Sequence, residues 1–360
     1  MKKITVILSL ILVLCLLSGC AGTTVVYYSD CTCPVDAHAQ TPAEPQNTQP
    51  PVVAEGSVKT GLAVVTSVSK SAAAAAEAEG KAEYDVTIAA VTVDDNGVII
   101  NCTIDSIGAS VAFGTDGVIT SDLTAAVQTK NELGDAYGMK AYGGAAYEWY
   151  EQAEALANYA VGKTVEELRT GAVNESGKAA DADLASTATI YLGGYVAAIE
   201  TAVANAQHLG AQAGDELKIA AISGLGDSKS ADAENAGNAQ LNVDVTAITM
   251  NDGVITSCVI DSVQAKVAFD ASGALASDIS APVQTKNELG EGYGMKAWGG
   301  AKYEWNEQAA NFATYVTGKT ADEVAGIAID EATKPTDADL SASVTISIGG
   351  FQALIAKAAQ

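Results

Sequence analysis

The chain has 360 residues, is 48% hydrophobic, and carries 44 acidic against 19 basic side chains, a formal net charge of −25. A surface of that sign repels polyanions, which excludes nucleic acid as a partner and leaves anionic lipid approachable only through an anchor. Much of the apolar content is Ala and Val, which suits small-residue, strand-rich cores.

Lys2 and Lys3 precede an apolar run, 4–17, that ends in Ser18, Gly19 and Cys20. A basic start, a short apolar core and small residues before a cysteine make an export signal rather than a spanning helix. The junction resembles a bacterial lipobox, so residues 1–19 read as a lipoprotein signal peptide and Cys20 as the lipidated N-terminus. A plain signal peptide is the alternative. Cys31 and Cys33 either bridge each other or stay free, and no partner set for zinc lies near them. Residues 20–59, with PAEPQNTQPP at their centre and His38 among them, have the composition of an extended tether.

Beyond the tether the chain repeats. The stretch VQTKNELGDAYGMKAYGGAAYEW at 127–149 recurs as VQTKNELGEGYGMKAWGGAKYEW at 283–305. The offset of 156 residues runs ungapped from about Tyr84 to the last helix and pairs Cys102 with Cys258 and Thr189 with Thr345. Two tandem domains follow, 60–208 and 209–360, and any function should occur twice.

Each copy opens on strands. YDVTIAAVTV at 84–93 and VIINCTIDS at 98–106 flank the turn residues Asp95, Asn96 and Gly97. A third run at 109–113 meets Thr115, Asp116 and Gly117 before 118–120. The second copy has Asn251, Asp252 and Gly253, then Ser272 and Gly273, at the matching turns. The acidic turns lack the remaining spaced ligands of a calcium loop and read as hairpins. Cys102 and Cys258, at equivalent strand positions, read as buried single thiols.

Helices come next. Trp149, Ala153, Leu156, Ala157 and Ala160 recur on one face, and Gly162 closes the helix as a left-handed cap. Thr164 with Glu167, and Thr320 with Glu323, form capping boxes for a second, short helix. The Gly-Lys-Thr at 162–164 and 318–320 is not a P-loop, because its leading glycine is replaced by Ala157 and Ala313. DLASTAT at 183–189 and DLSASVT at 339–345 precede a closing helix with Tyr195, Ala198 and Ile199, or Phe351, Leu354 and Ile355, on its apolar face. A Ser-, Asp-, Ala- and Gly-rich run at roughly 210–238 holds the join; GLGDSK at 224–229 lacks the third glycine of a dinucleotide fingerprint. Strands first and helices after them predict an α+β fold, in two tandem copies of an antiparallel sheet with helices.

His38 and His208 are the sole histidines, which excludes a duplicated Ser-His-Asp or His-metal centre. What recurs is another mixture. Lys130, Glu132, Met139, Lys140 and Tyr142 are matched by Lys286, Glu288, Met295, Lys296 and Trp298. Lysines could neutralise a phosphate, a helix N-terminus after Thr189 or Thr345 could supply N–H groups to it, and Tyr142 or Trp298 could stack on a planar ring. The alternative makes the aromatics and methionines core and the lysines solvated.

The layout resembles the FMN-binding domain family, found in membrane-associated subunits of sodium-pumping quinone reductases and in flavinylated lipoproteins of Gram-positive extracellular electron transfer. The hairpin turn at Asn96, Gly97, Val98 and Ile99 is similar to that family's opening turn. The family's closing motif, D-x-x-S-G-A-T, is matched at Asp183, Ser186, Ala188 and Thr189, and in the second copy at Asp339 and Thr345 only. Thr187 and Ser343 replace its glycine. Signal, tether and two such domains together resemble the two-domain flavinylated lipoproteins. The resemblance implies a flavin transferase that joins FMN through its phosphate to the hydroxyl of Thr189 and, more weakly, Thr345. It implies a lipid-anchored electron carrier on the extracellular face of the membrane, taking electrons from a membrane quinol or its reductase and passing them to extracellular acceptors. Flavin supplies the redox chemistry, and an acidic setting would lower its potential. A non-redox surface or cell-wall interaction lipoprotein is the second reading. A solute-binding lipoprotein is a third, disfavoured because the halves are near-copies rather than lobes joined by crossing strands.

Overall fold

A computed structural model describes residues 56–360. The signal, Cys20, Cys31, Cys33 and His38 lie outside the described residues. Six strands form two three-stranded antiparallel sheets. The first is β1 (Lys59–Ser67), β2 (Gly80–Val93) and β3 (Ile99–Phe113); the second is β4 (Glu216–Gly224), β5 (Gly237–Asn251) and β6 (Val254–Phe269), each in chain order. The helices of the first copy are α1 (Lys130–Leu133), α2 (Trp149–Ala160), α3 (Val165–Gly171), α4 (Ala182–Thr187) and α5 (Gly193–Ala204). Those of the second are α6 (Lys286–Leu289), α7 (Met295–Gly299), α8 (Trp305–Val316), α9 (Ala321–Ala325), α10 (Ala338–Ser341) and α11 (Gly349–Ala358). The α+β class is as the sequence predicts.

The strands are long because both of their faces are covered. On β2, Tyr84, Val86, Ile88 and Ala90 point to one side and Ala89, Val91 and Val93 to the other, and all are buried. The first set meets its counterparts Leu241, Val243, Val245 and Ala247 of β5, so the inner faces of the two sheets share one core. At its centre Phe113 and Phe269 stack with ring centroids 4.0 Å apart and planes 4° off parallel. Gly80 and Gly237 make room for these rings: a Cβ at either would come within 2.2 Å or 2.4 Å of the phenyl carbons. The outer faces pack on helices, with α5 over β1 and β2, α2 over β3, α8 over β6, and α11 over β4 and β5. The result is four layers, helix–sheet–sheet–helix, with β1 beside β6 and β3 beside β4 at the two seams. The described residues form one compact unit.

Several expectations change here. The tether ends earlier than residue 59: Val58 is buried and its N–H donates to the Ala211 carbonyl at 3.0 Å. The run at 109–113 continues β3 rather than starting a strand, and 118–120 contributes only the bridge from Ile119 to Phe113. The small-residue join contains β4, the counterpart of β1. The 156 offset holds from β3 onward, but Gly80 and Gly237 occupy matching register positions, so β2 and β5 are offset by 157. The first hairpin therefore has one residue more than the second. The turns form as predicted, with Gly97, Gly117, Gly253 and Gly273 at positive φ. Both Thr-Glu capping boxes are present, but Gly162, though left-handed at φ +80, does not cap α2: the helix ends at Val161 in an extended conformation and the Gly162 N–H donates to the Ile99 carbonyl of β3 at 2.8 Å. Cys258 is buried and Cys102 partly buried; burial pushes both thiols up to about 12, which keeps them protonated.

Candidate cofactor-attachment site

Helix α2 buries Trp149, Gln152, Ala153 and Leu156 on one stripe, and one of these is polar. The Gln152 amide is fully buried, so each of its groups needs a partner. Its Oε1 accepts from the Thr189 N–H at 2.8 Å, the Thr189 hydroxyl at 3.2 Å and the Ile190 N–H at 3.1 Å. Its Nε2 donates to the Tyr147 carbonyl at 3.0 Å and lies 3.8 Å from the Met139 sulfur. The second copy repeats this cluster. Gln308 Oε1 accepts from Thr345 N–H (2.8 Å), its hydroxyl (3.1 Å) and Ile346 N–H (3.2 Å), while Nε2 donates to Tyr303 O (3.0 Å) and faces Met295 sulfur at 3.9 Å. Thr189 and Thr345 are exposed, each on the short loop that leads into the closing helix. In each copy a buried glutamine thus anchors the loop and the hydroxyl of an exposed threonine.

The segment around Met139 is fixed to the same helix start. Glu148 is buried, and its carboxylate accepts the N–H groups of Met139 at 2.8 Å and Lys140 at 3.0 Å. Glu304 does the same for Met295 and Lys296 at 2.7 Å and 3.0 Å. The candidate aromatics end up on the surface: Tyr142 is 91% exposed and Trp298 89%. Each ring lies over a glycine, Gly138 or Gly294, leaving a face free for a planar partner.

The four candidate lysines already have partners. Lys140 pairs with Glu151, and Lys296 with Glu307, each at 3.0 Å. The Lys130 ammonium sits 5.1 Å from the ring centroids of both Tyr137 and Trp149. That of Lys286 sits over Tyr293 at 5.3 Å and Trp305 at 4.7 Å, and burial pushes its pKa down. The closing motif is itself helical. Asp181, rather than Asp183, caps α4, and Asp337 caps α10 ahead of Asp339. The side chains of Asp183 and Asp339 are solvated, and Ser186 donates to the Asp183 carbonyl at 2.6 Å. No hydrogen bond joins these three side chains to the threonines among the described residues.

Sequence reasoning missed Gln152, Gln308, Glu148 and Glu304, which position the site. Their signal was a polar residue on an otherwise apolar helix stripe at the same place in both copies. It also missed Lys178, whose ammonium donates to the Thr189 carbonyl at 2.7 Å. Helices α5 and α11 start four residues after the threonines with no side-chain cap, and at α5 the Gly193 N–H donates to the Gly177 carbonyl at 3.2 Å. Among the described residues no group of acidic, histidine or cysteine side chains could hold a metal ion, and no helix is long and apolar enough to cross a membrane. Compared with protein-family models, curated proteins and solved structures, the chain matches none.

Proposed function

We propose that this chain is a surface lipoprotein that carries FMN covalently on Thr189 and Thr345 and passes electrons from a membrane quinol or its reductase to extracellular acceptors. The observation that carries the reading is the duplicated post: a buried glutamine holding the loop and hydroxyl of an exposed threonine, once per copy. The residues present fit a phosphoester. Both threonines are exposed, Lys178 supplies charge beside Thr189, and α5 and α11 begin four residues after the threonines. Gln152 and Gln308 accept a hydrogen bond from the hydroxyl and fix the threonine rotamer, on an exposed loop that a flavin transferase would have to reach. Tyr142 and Trp298 offer ring faces. Bound FMN would supply the electron chemistry, and the chain supplies attachment, stacking and local charge. The anchor at Cys20 would keep the carrier at the membrane's extracellular face.

The engagement of all four candidate lysines in ion pairs or over aromatic rings favours the second reading, a surface or cell-wall interaction lipoprotein without flavin. One experiment separates them. The chain is produced with a flavin transferase, and peptides containing Thr189 or Thr345 are weighed. The carrier reading expects an FMN mass increment that Thr189→Ala and Thr345→Ala each remove from its own peptide. A colourless, unmodified chain would establish the interaction module, and flavin retained in the double variant would overturn the attachment sites.

A further inference from the structure

The seam between β1 and β6 forms a cavity of about 760 Å³, under α5 of the first copy and α8 of the second and open to solvent where Glu288, Ala310 and Thr314 are exposed. Of the residue mixture that recurs in the two copies only Glu288 lines it; the threonines, lysines, methionines and exposed aromatics assigned to the flavin do not. Its apolar wall includes Leu62, Ala63, Ile260 and Ala313. Its charged lining is Asp261 and Glu288, with His208 tied to Asp95 at the rim, and no lysine or arginine lines it. Such a lining disfavours an anion.

The opposite seam, between β3 and β4, is the internal reference. There Glu132 of α1 uses Oε2 to accept the Thr129 N–H and gives Oε1 to the ammonium of Lys357 on α11. That ammonium also donates to the Ala221 carbonyl of β4 at 2.7 Å. The matching positions in the cavity are Glu288, Thr201 and Val64, and all three line it. Glu288 uses Oε2 in the same way, on the Thr285 N–H at 2.8 Å, but no cation among the described residues pairs with it. Thr201 is too short to reach; its hydroxyl turns back to the Ala197 carbonyl at 3.0 Å. The space comes from smaller side chains at equivalent helix positions. Asn306 stands where α2 has Tyr150, Ala310 where it has Glu154, and Thr201 where α11 has Lys357. Asn306 also points to a ligand: its Oδ1 is buried and accepts no hydrogen bond among the described residues.

We propose that this cavity binds a small organic ammonium ion with an apolar body. Its amine takes the place on Glu288 and the Val64 carbonyl that the Lys357 ammonium takes on Glu132 and the Ala221 carbonyl. A donor at the far end of the molecule meets Asn306 Oδ1. Glu288 is exposed, so the ammonium–carboxylate contact is made at the open side of the cavity, where the charge-assisted pair and the Val64 carbonyl together supply selectivity over neutral molecules of the same shape. The proposal does not depend on the flavin reading.

Tyramine is a suitable probe, with 4-ethylphenol as the same body lacking the amine, titrated into the full chain by calorimetry. One saturable site per chain is expected, at least tenfold tighter for tyramine than for 4-ethylphenol. E288Q should lose that preference. Thr201→Lys should abolish binding and raise the melting temperature, because it supplies the ammonium that the opposite seam already accommodates. Lys357→Thr, at the seam filled by Tyr150, should leave binding unchanged. Equal binding of the two probes, no saturable binding, or tyramine binding undiminished in Thr201→Lys would overturn the proposal. If E288Q does not fold, the Thr201→Lys result decides.

Discussion

Replacing Gln152 with alanine removes the post beneath Thr189. Four groups lose their partner: the N–H groups of Thr189 and Ile190, the Thr189 hydroxyl and the Tyr147 carbonyl. A buried group left unmatched costs about 1–3 kcal/mol. Thr189 and Tyr147 are exposed enough to recover water, so the lower end applies to each of the four and the total is about 4 kcal/mol. The measurement is urea unfolding together with amide hydrogen exchange. Stability should fall by that amount, and protection at Thr189 and Ile190 should vanish, while Thr345 and Ile346, held by the untouched Gln308, serve as the internal control. With a flavin transferase present, modification of Thr189 should drop while that of Thr345 persists. A loss below about 0.5 kcal/mol, with protection at the two amides unchanged, would refute the view that the buried amide organises this loop.

Two further perturbations test the architecture. Phe113→Ala and Phe269→Ala each remove a fully buried ring and should cost about 3–5 kcal/mol. Because the rings stack on one another, the double variant should depart from additivity by about 0.5–1.5 kcal/mol or more. Single-tryptophan variants retaining Trp149 or Trp305 should report the same unfolding midpoint; a shift confined to one of them would mean the copies fold independently. Asp261 offers a test by pH. Burial raises its carboxyl to about 6, above its unfolded value, against the hydrogen bonds it accepts from Ser262 N–H and Asn287 N–H. The folded state therefore holds the proton more tightly, so this stabilisation is present below pH about 4 and is lost as pH rises through about 6. The loss amounts to roughly 3 kcal/mol at most. Asp261→Asn, which keeps an acceptor, should be less pH-dependent than the parent across that window; superimposable pH–stability curves would show that the group does not titrate there.

Local chemistry was legible in the sequence wherever a feature depends on neighbours along the chain. The Thr164–Glu167 and Thr320–Glu323 boxes, the glycine turns and the apolar stripe of α2 are set within a few residues, and the structure has them all, whereas Gly162 gives its N–H to Ile99 of β3 instead of capping the helix. The repeat also announced that every local feature would occur twice. The relation between the copies was not legible, because β2 buries both faces and its apolar run does not say what covers each one. That the inner face meets β5, with Phe113 against Phe269, is fixed only when the two sheets close on one another. β4 hid in a small-residue stretch for a related reason: its strand character comes from pairing with β5, and Ala220 and Ala221 carry little propensity of their own. The site divides along the same line. Thr189, Thr345, Tyr142 and Trp298 could be picked out as side chains able to do chemistry. That Gln152 rather than Asp183 holds the threonine, that Lys140 is spent on Glu151, and that Thr201 leaves Glu288 without a cation are outcomes of contacts between residues far apart in the chain, which residue type and spacing do not encode.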